Sequence, residues 1–168
     1  MQSQASRQGV YVLFSPGFQQ RAKSVQPGLA WGMLEEDAAL LHELFHALRI
    51  LQGSLNLSPM ITTMEKSTRA KAETYRNREE LYATVVQNIY SAELGRNALR
   101  ENYNNLTQAG NYLSGRTIAE DYEFELNALI SSMCRFAFKV ASVPTKYNPI
   151  RDLLHKKSTV LRNACNIS

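Results

Sequence analysis

Two histidines four residues apart, His42 and His46, with Glu43 directly after the first, form the most chemically specific stretch of this chain, LLHELFHALRILQG at residues 40–53. On a helix, positions i and i+4 stand one above the other on the same face. Two imidazoles there can each turn a nitrogen toward one tetrahedral Zn²⁺ at about 2.0–2.1 Å. Glu43 is rotated ~100° from His42. It is badly aimed for a third ligand and well aimed to act as a general base on a water at the metal, the division of labour of an HExxH helix. The competing explanation is a pair of core or surface histidines that share this spacing by chance. The motif lies in an amphipathic helix, among Leu41, Leu44 and Phe45, and that context favours the metal.

A catalytic zinc needs a third protein ligand and an open fourth position. The remaining histidine, His155, lies in the charged segment LLHKK and reads as a surface residue. NREELYATVVQN supplies Glu79 and Glu80 instead. On a helical wheel Glu80 shares a side with Thr84, Gln87, Asn88 and Ser91, an uncharged polar strip beside the apolar stripe of Leu81 and Val85. Glu79 lies on the side of Ala83 and Tyr90. A carboxylate at the edge of a buried face needs a partner: a metal, or an arginine. Glu80 is the expected ligand, and Glu79 the expected acceptor behind a ligand histidine.

The elements that must hold these residues follow from pattern. GVYVLFSP (residues 9–16) alternates and reads as a strand before the HExxH helix, ended by Pro16-Gly17. A loop over 17–32 follows. Ala38, Leu41, Phe45 and Leu48 give a helix over about 34–52, stopped by Gly53. Residues 53–76 read as a long loop, and Leu81, Val85 and Ile89 give a second helix over about 78–94. NALRENYNNL reads as a short helix or turn. The apolar run over 117–143 reads as one helix ended by Pro144, and a loop and short amphipathic helix close the chain. The expectation is an α+β, mostly helical fold with a small β element before the HExxH helix.

At 168 residues, 44% hydrophobic and 20% charged, the chain fits one globular domain over 1–168. No apolar run approaches the ~20 residues of a membrane span, and MQSQASRQ is no secretory signal. Cys134 and Cys165 lack CxxC spacing and read as a buried and a tail thiol rather than a bridge. A net charge of +4, scattered along the chain, does not make a nucleic-acid binder.

HELFH, the later EEL and the Arg-x-x-Tyr of Arg100-Glu101-Asn102-Tyr103 occur in the order that resembles zinc endopeptidases of the NleD-like effector family and the clostridial neurotoxin light chains. YVLFSP resembles the strand before their zinc helix. NREELYATVVQNIYSAELGRNALRENY also resembles metallopeptidase domains of bacterial contact-dependent and type VI toxins. The resemblance covers roughly residues 9–103 and implies a zincin-like fold and a Zn²⁺ cofactor on His42, His46 and Glu80. It implies Glu43 as general base, with Arg100 and Tyr103 steadying the oxyanion. It further implies a secreted effector or toxin, delivered without a signal peptide by a type III or type VI-like system or on a carrier protein. Such a protein cleaves a protein or peptide inside a host or rival bacterial cell. This chain is far shorter than a neurotoxin light chain, so substrate does not carry over. The alternative is a non-enzymatic interaction module with a structural or vestigial metal site. Against it, no cysteine lies near His42, His46 or Glu80, and a structural site has no use for Glu43.

Overall fold

The computed structural model describes residues 9–12, 35–60, 75, 77–96, 98–100, 106–108 and 114–165. Helix α1 spans Glu36–Leu51 and α2 spans Arg78–Glu93. Both end on a glycine with positive φ, Gly53 at 63° and Gly95 at 71°, a conformation that side chains with a Cβ disfavour. Gly53 N–H donates to Ile50 O and Ser54 N–H to Arg49 O; Gly95 and Arg96 repeat this with Ala92 and Ser91. These Schellman turns satisfy carbonyls that a helix end leaves open. Asn77 caps α2, its Oδ1 accepting from Glu80 N–H at 3.0 Å. After Gly53 the chain runs back beside that cap, where Arg78 N–H donates to Ser58 O and Glu79 N–H to Asn56 O.

The two helices pack antiparallel. Asp37, at the start of α1, meets Tyr90 and Arg96 at the end of α2, and Arg49, at the end of α1, meets Glu79 at the start of α2. Leu81, Tyr82, Ala83, Val85, Val86 and Ile89 of α2 are buried, and so are its polar Thr84, Gln87, Asn88 and Ser91. A helix enclosed all round must find partners for its polar groups inside the protein.

One of those partners is a hairpin. Residues 98–100 of NALRENYNNL form a strand where a short helix or turn is expected, and residues 97 and 101–105 lie outside the described residues; β1 (Ala98–Arg100) pairs antiparallel with β2 (Leu106–Gln108), Leu99 opposite Thr107. Asn88 Nδ2 donates to Arg100 O at 2.7 Å, and Arg100 N–H donates to Asn88 Oδ1 at 2.8 Å. The side-chain amide pairs with β1 in both directions, as a neighbouring strand would. The cause is tertiary, which is why the local sequence does not announce it. The fold is thus mostly helical with a small β element, and the β element described follows the HExxH helix instead of preceding it. Residues 9–12 form no strand; residues 13–16 and the loop over 17–32 lie outside the described residues, as do 61–74 of the long loop.

The run over 117–143 is three helices instead of one: α3 (Gly115–Asp121), α4 (Glu123–Ser132) and α5 (Cys134–Ala141). Breaks at Tyr122 (φ −121°, ψ 31°) and Met133 (φ −136°, ψ 45°) fold it back on itself. A straight helix of that length would span about 40 Å; the folded one brings Ile118, Leu126, Leu129, Ile130 and Ala137 into one core. Helix α6 (Pro149–Ala164), longer than expected and kinked at Lys157, packs on α3, α4 and α5 and buries Ile150, Leu153 and Leu154. A Cβ on Gly115 would lie 2.5 Å from Asp152 Oδ2 and 2.8 Å from the Asn148 nitrogen, so glycine lets α3 approach this closely. Cys134 and Cys165 form a disulfide, Cα atoms 5.6 Å apart, correcting the expectation of two free thiols; the turn over 142–148 lets α6 pack on α5 and returns its far end to the start of α5. Among the described residues no helix is long and apolar enough to cross a membrane.

Candidate metal centre

Antiparallel packing turns the His42–His46 face of α1 onto the polar strip of α2. His42 is buried at 5% exposure. Its Nε2 lies 3.1 Å from His46 Nε2 and 3.2 Å from Glu80 Oε2. Glu80 Oε1 lies 3.8 Å from His46 Nε2. One ligand atom from each of the three residues falls within 4.8 Å of the others. Four ligands on a tetrahedron at 2.0–2.1 Å stand about 3.3–3.4 Å apart along each edge. The triangle on these two helices is close to one face of that tetrahedron.

The hydrogen bonds behind the triangle fix what it presents. His42 Nδ1 lies 3.1 Å from Gln87 Oε1. An amide oxygen accepts, and a hydrogen on Nδ1 donated to it leaves the Nε2 electron pair for a metal. That pair faces His46 Nε2 and a carboxylate oxygen. Electron pairs crowded at this distance repel unless a proton or a cation lies among them. A divalent metal satisfies all three donors, and two imidazoles with one carboxylate are a donor set of the zinc type. His42, His46 and Glu80 therefore fit a metal ion. Glu80 is also the third helical residue after the Asn77 cap, where a glutamate can turn back to the cap's amide; here its carboxylate reaches forward to the histidines.

Glu79 has a different environment. It is 1% exposed, and its carboxylate accepts from Arg49 Nε at 2.8 and 2.9 Å and from Asn56 N–H at 3.0 Å. Its Oε1 stands 3.7 Å from His46 Nδ1, an electrostatic contact longer than a hydrogen bond. Of the two glutamates, Glu80 borders the ligand triangle, while Glu79 lies behind His46 and has the arginine partner.

The field at the centre is negative. Burial works to raise the Glu80 carboxyl, but the neighbouring His42, His46 and Arg100 hold it below the usual carboxylate value. Burial likewise opposes ionisation of Glu79, and His46, the Asn56 amide and Arg49 outweigh it. Burial works to lower His46, yet Glu79, Glu80 and Glu43 together raise it.

Glu43 is exposed, outside the ligand triangle, with a charge that reaches His46. Arg100 is buried at 7% exposure, its backbone held by Asn88 and its charge felt at Glu80. Tyr103 lies outside the described residues, so the structure does not bring it to the site or remove it. His155 is exposed on α6.

Arg49 and Gln87 support the centre and were not singled out by the sequence. Gln87 belonged to the polar strip, without a role. Arg49 had a legible signal: His42, His46 and Arg49 fall at i, i+4 and i+7, one continuous helix face. An arginine in a last turn has an ordinary explanation in the helix dipole, and that masks its burial. Comparison of the chain with protein-family models, with curated proteins and with solved structures gave no match.

Proposed function

We propose that the protein is a zinc-dependent metalloendopeptidase with a zincin-like fold, acting as a secreted bacterial effector or toxin. The observation that carries the proposal is the His42–His46–Glu80 triangle with Glu43 on the adjoining, exposed side of α1. Three protein donors leave a coordination position open, as catalytic zinc sites do and closed structural ones do not. When bound, zinc would supply a Lewis acid that acidifies water and polarises a peptide carbonyl. His42, His46 and Glu80 would hold it. Glu43 takes the proton from the attacking water and passes it to the departing amine. Arg100, from β1, offers positive charge to the oxyanion, and Tyr103 is assigned beside it on the resemblance of Arg-x-x-Tyr alone. The substrate is a protein or peptide of a target cell. Delivery through a type III or type VI-like system is assigned on the resemblance alone.

The test has two parts. Purified protein reconstituted with zinc should retain one ion per chain by elemental analysis. Glu43→Gln should retain the ion and lose about 10²–10⁴-fold in peptide cleavage or in toxicity on expression. A chain that takes up no metal ends the proposal. A Glu43→Gln protein that cleaves or kills like the parent ends the general-base assignment.

A further inference from the structure

The two ligand histidines are backed by unlike groups. His42 faces a neutral amide, Gln87, whereas His46 faces a carboxylate whose two oxygens are both occupied by a buried guanidinium. Arg49 is 1% exposed and is held on every side. Its Nη1 donates to Ser132 Oγ at 3.2 Å, its Nη2 donates to Ser54 O, and its guanidinium carbon lies 5.1 Å from the centre of the Tyr82 ring. The protein therefore spends a fully buried cation on one glutamate, and that glutamate stands behind one imidazole. A buried ion pair is seldom a gain in stability over apolar side chains of the same volume, so stability alone does not account for it.

We propose that Arg49 is a positioning residue of the metal centre, acting through Glu79 on His46; this rests on the metal-site reading above. The Arg49 Nε–H, shared between the two oxygens of Glu79, fixes where that carboxylate lies. A carboxylate accepts, and this one stands 3.7 Å from His46 Nδ1, a placement that favours the hydrogen on Nδ1 and leaves the Nε2 electron pair for the ion. The Ser54 and Asn56 backbone contacts make the turn after α1 part of the same brace. Ser132 ties the brace to the end of α4. Removing the guanidinium frees Glu79 to move, and His46 loses the group that orients its ring.

The experiment measures zinc affinity by chelator competition in the wild-type chain, Arg49→Lys, Glu79→Gln and the double variant Arg49→Met/Glu79→Gln. The double variant leaves no unpaired buried charge and guards against a single substitution that fails to fold. Arg49→Lys keeps the charge and loses the guanidinium. The expected results are a 10–100-fold weaker affinity for Arg49→Lys and for Glu79→Gln. The double variant should lie within about threefold of Glu79→Gln, since Arg49 acts only through that residue. In the metal-free protein at alkaline pH, ¹⁵N NMR should find the Nδ1–H tautomer of His46 in the wild type and a mixture in Arg49→Lys. If Arg49→Lys melts lower but binds zinc and holds the tautomer as the wild type does, Arg49 is structural and the proposal falls. A double variant more than about tenfold weaker than Glu79→Gln also overturns it, because Arg49 would then act by a route other than Glu79. A wild-type chain that binds no zinc removes the metal reading, and this inference with it.

Discussion

The α1–α2 pair and the α3–α6 group differ in what is buried beside their apolar side chains. Between α1 and α2, next to Phe45 and Val85, lie His42, Arg49, Glu79 and Gln87, each buried with a named partner. Among α3–α6 lie Leu126, Leu129, Ile130, Ile150 and Leu153, each fully buried. A polar interior fails when one partner is lost, because the other is left buried and unpaired. An apolar interior loses stability in proportion to the volume removed. The first region holds directional groups in place at a cost in desolvation, offset by the one apolar core that both regions share. Zinc affinity and thermal stability should therefore separate by region.

Glu80→Ala should break that comparison hardest. It removes a carboxylate bordering the triangle, and zinc affinity should fall well beyond the ~10–100-fold expected of groups that only brace a ligand. Equal losses for Glu80→Ala and Glu79→Ala in chelator competition would reverse the assignment of the two glutamates. In the other region, Cys165→Ser opens a bridge between residues 31 apart in sequence. By chain entropy that should cost about 3–4 kcal/mol in denaturant unfolding, with zinc affinity unchanged. Ile130→Val, in the same core, should cost about 0.5–1.5 kcal/mol, again without effect on zinc; a parallel fall in affinity would mean the regions are not separable.

The smallest effect belongs to the rim. Arg96 first, then Tyr90 and the Ala38 amide, hold Asp37 at about 2 against an ordinary 3.8, despite an opposing push from burial. A carboxyl lowered on folding stabilises the native state above its unfolded value and loses that contribution as pH falls from about 3.8 through about 2. Asp37 is 44% exposed, so solvent screening limits the contribution to under about 1 kcal/mol. Unfolding curves of Asp37→Asn and the parent should differ slightly at pH 5 and converge near pH 2.

The metal helices were legible because their signals are local. Gly53, Gly95 and Asn77 mark where the chain must turn or cap, and the three- and four-residue spacing of Leu41, Phe45 and Leu48 sets the face. The wheel that put Glu80 with Gln87 and Asn88 found the side that meets the histidines. It did not foresee that Glu79 would be the more deeply buried, because that depends on Arg49 arriving from another helix. The breaks at Tyr122 and Met133 carry no proline or glycine, and the apolar run continues across them. The hairpin depends on Asn88 serving as a strand edge, and the Cys134–Cys165 bridge on α6 packing back on α5. Each of these is decided by groups far away in sequence, which periodicity cannot see.

The stripe from His42 through His46 to Arg49, facing Glu79 and Glu80 one helix away, has a consequence for protein engineering. The donors and the brace lie on two antiparallel helices and the turn that leaves the first. No donor comes from α3–α6, and Ser132 is the contact described from that group to the brace. Such a centre is compact enough to transplant. The recipient needs two helices at the same spacing, a glycine-terminated first helix to bring a backbone carbonyl and amide alongside, and a glutamine facing the first imidazole.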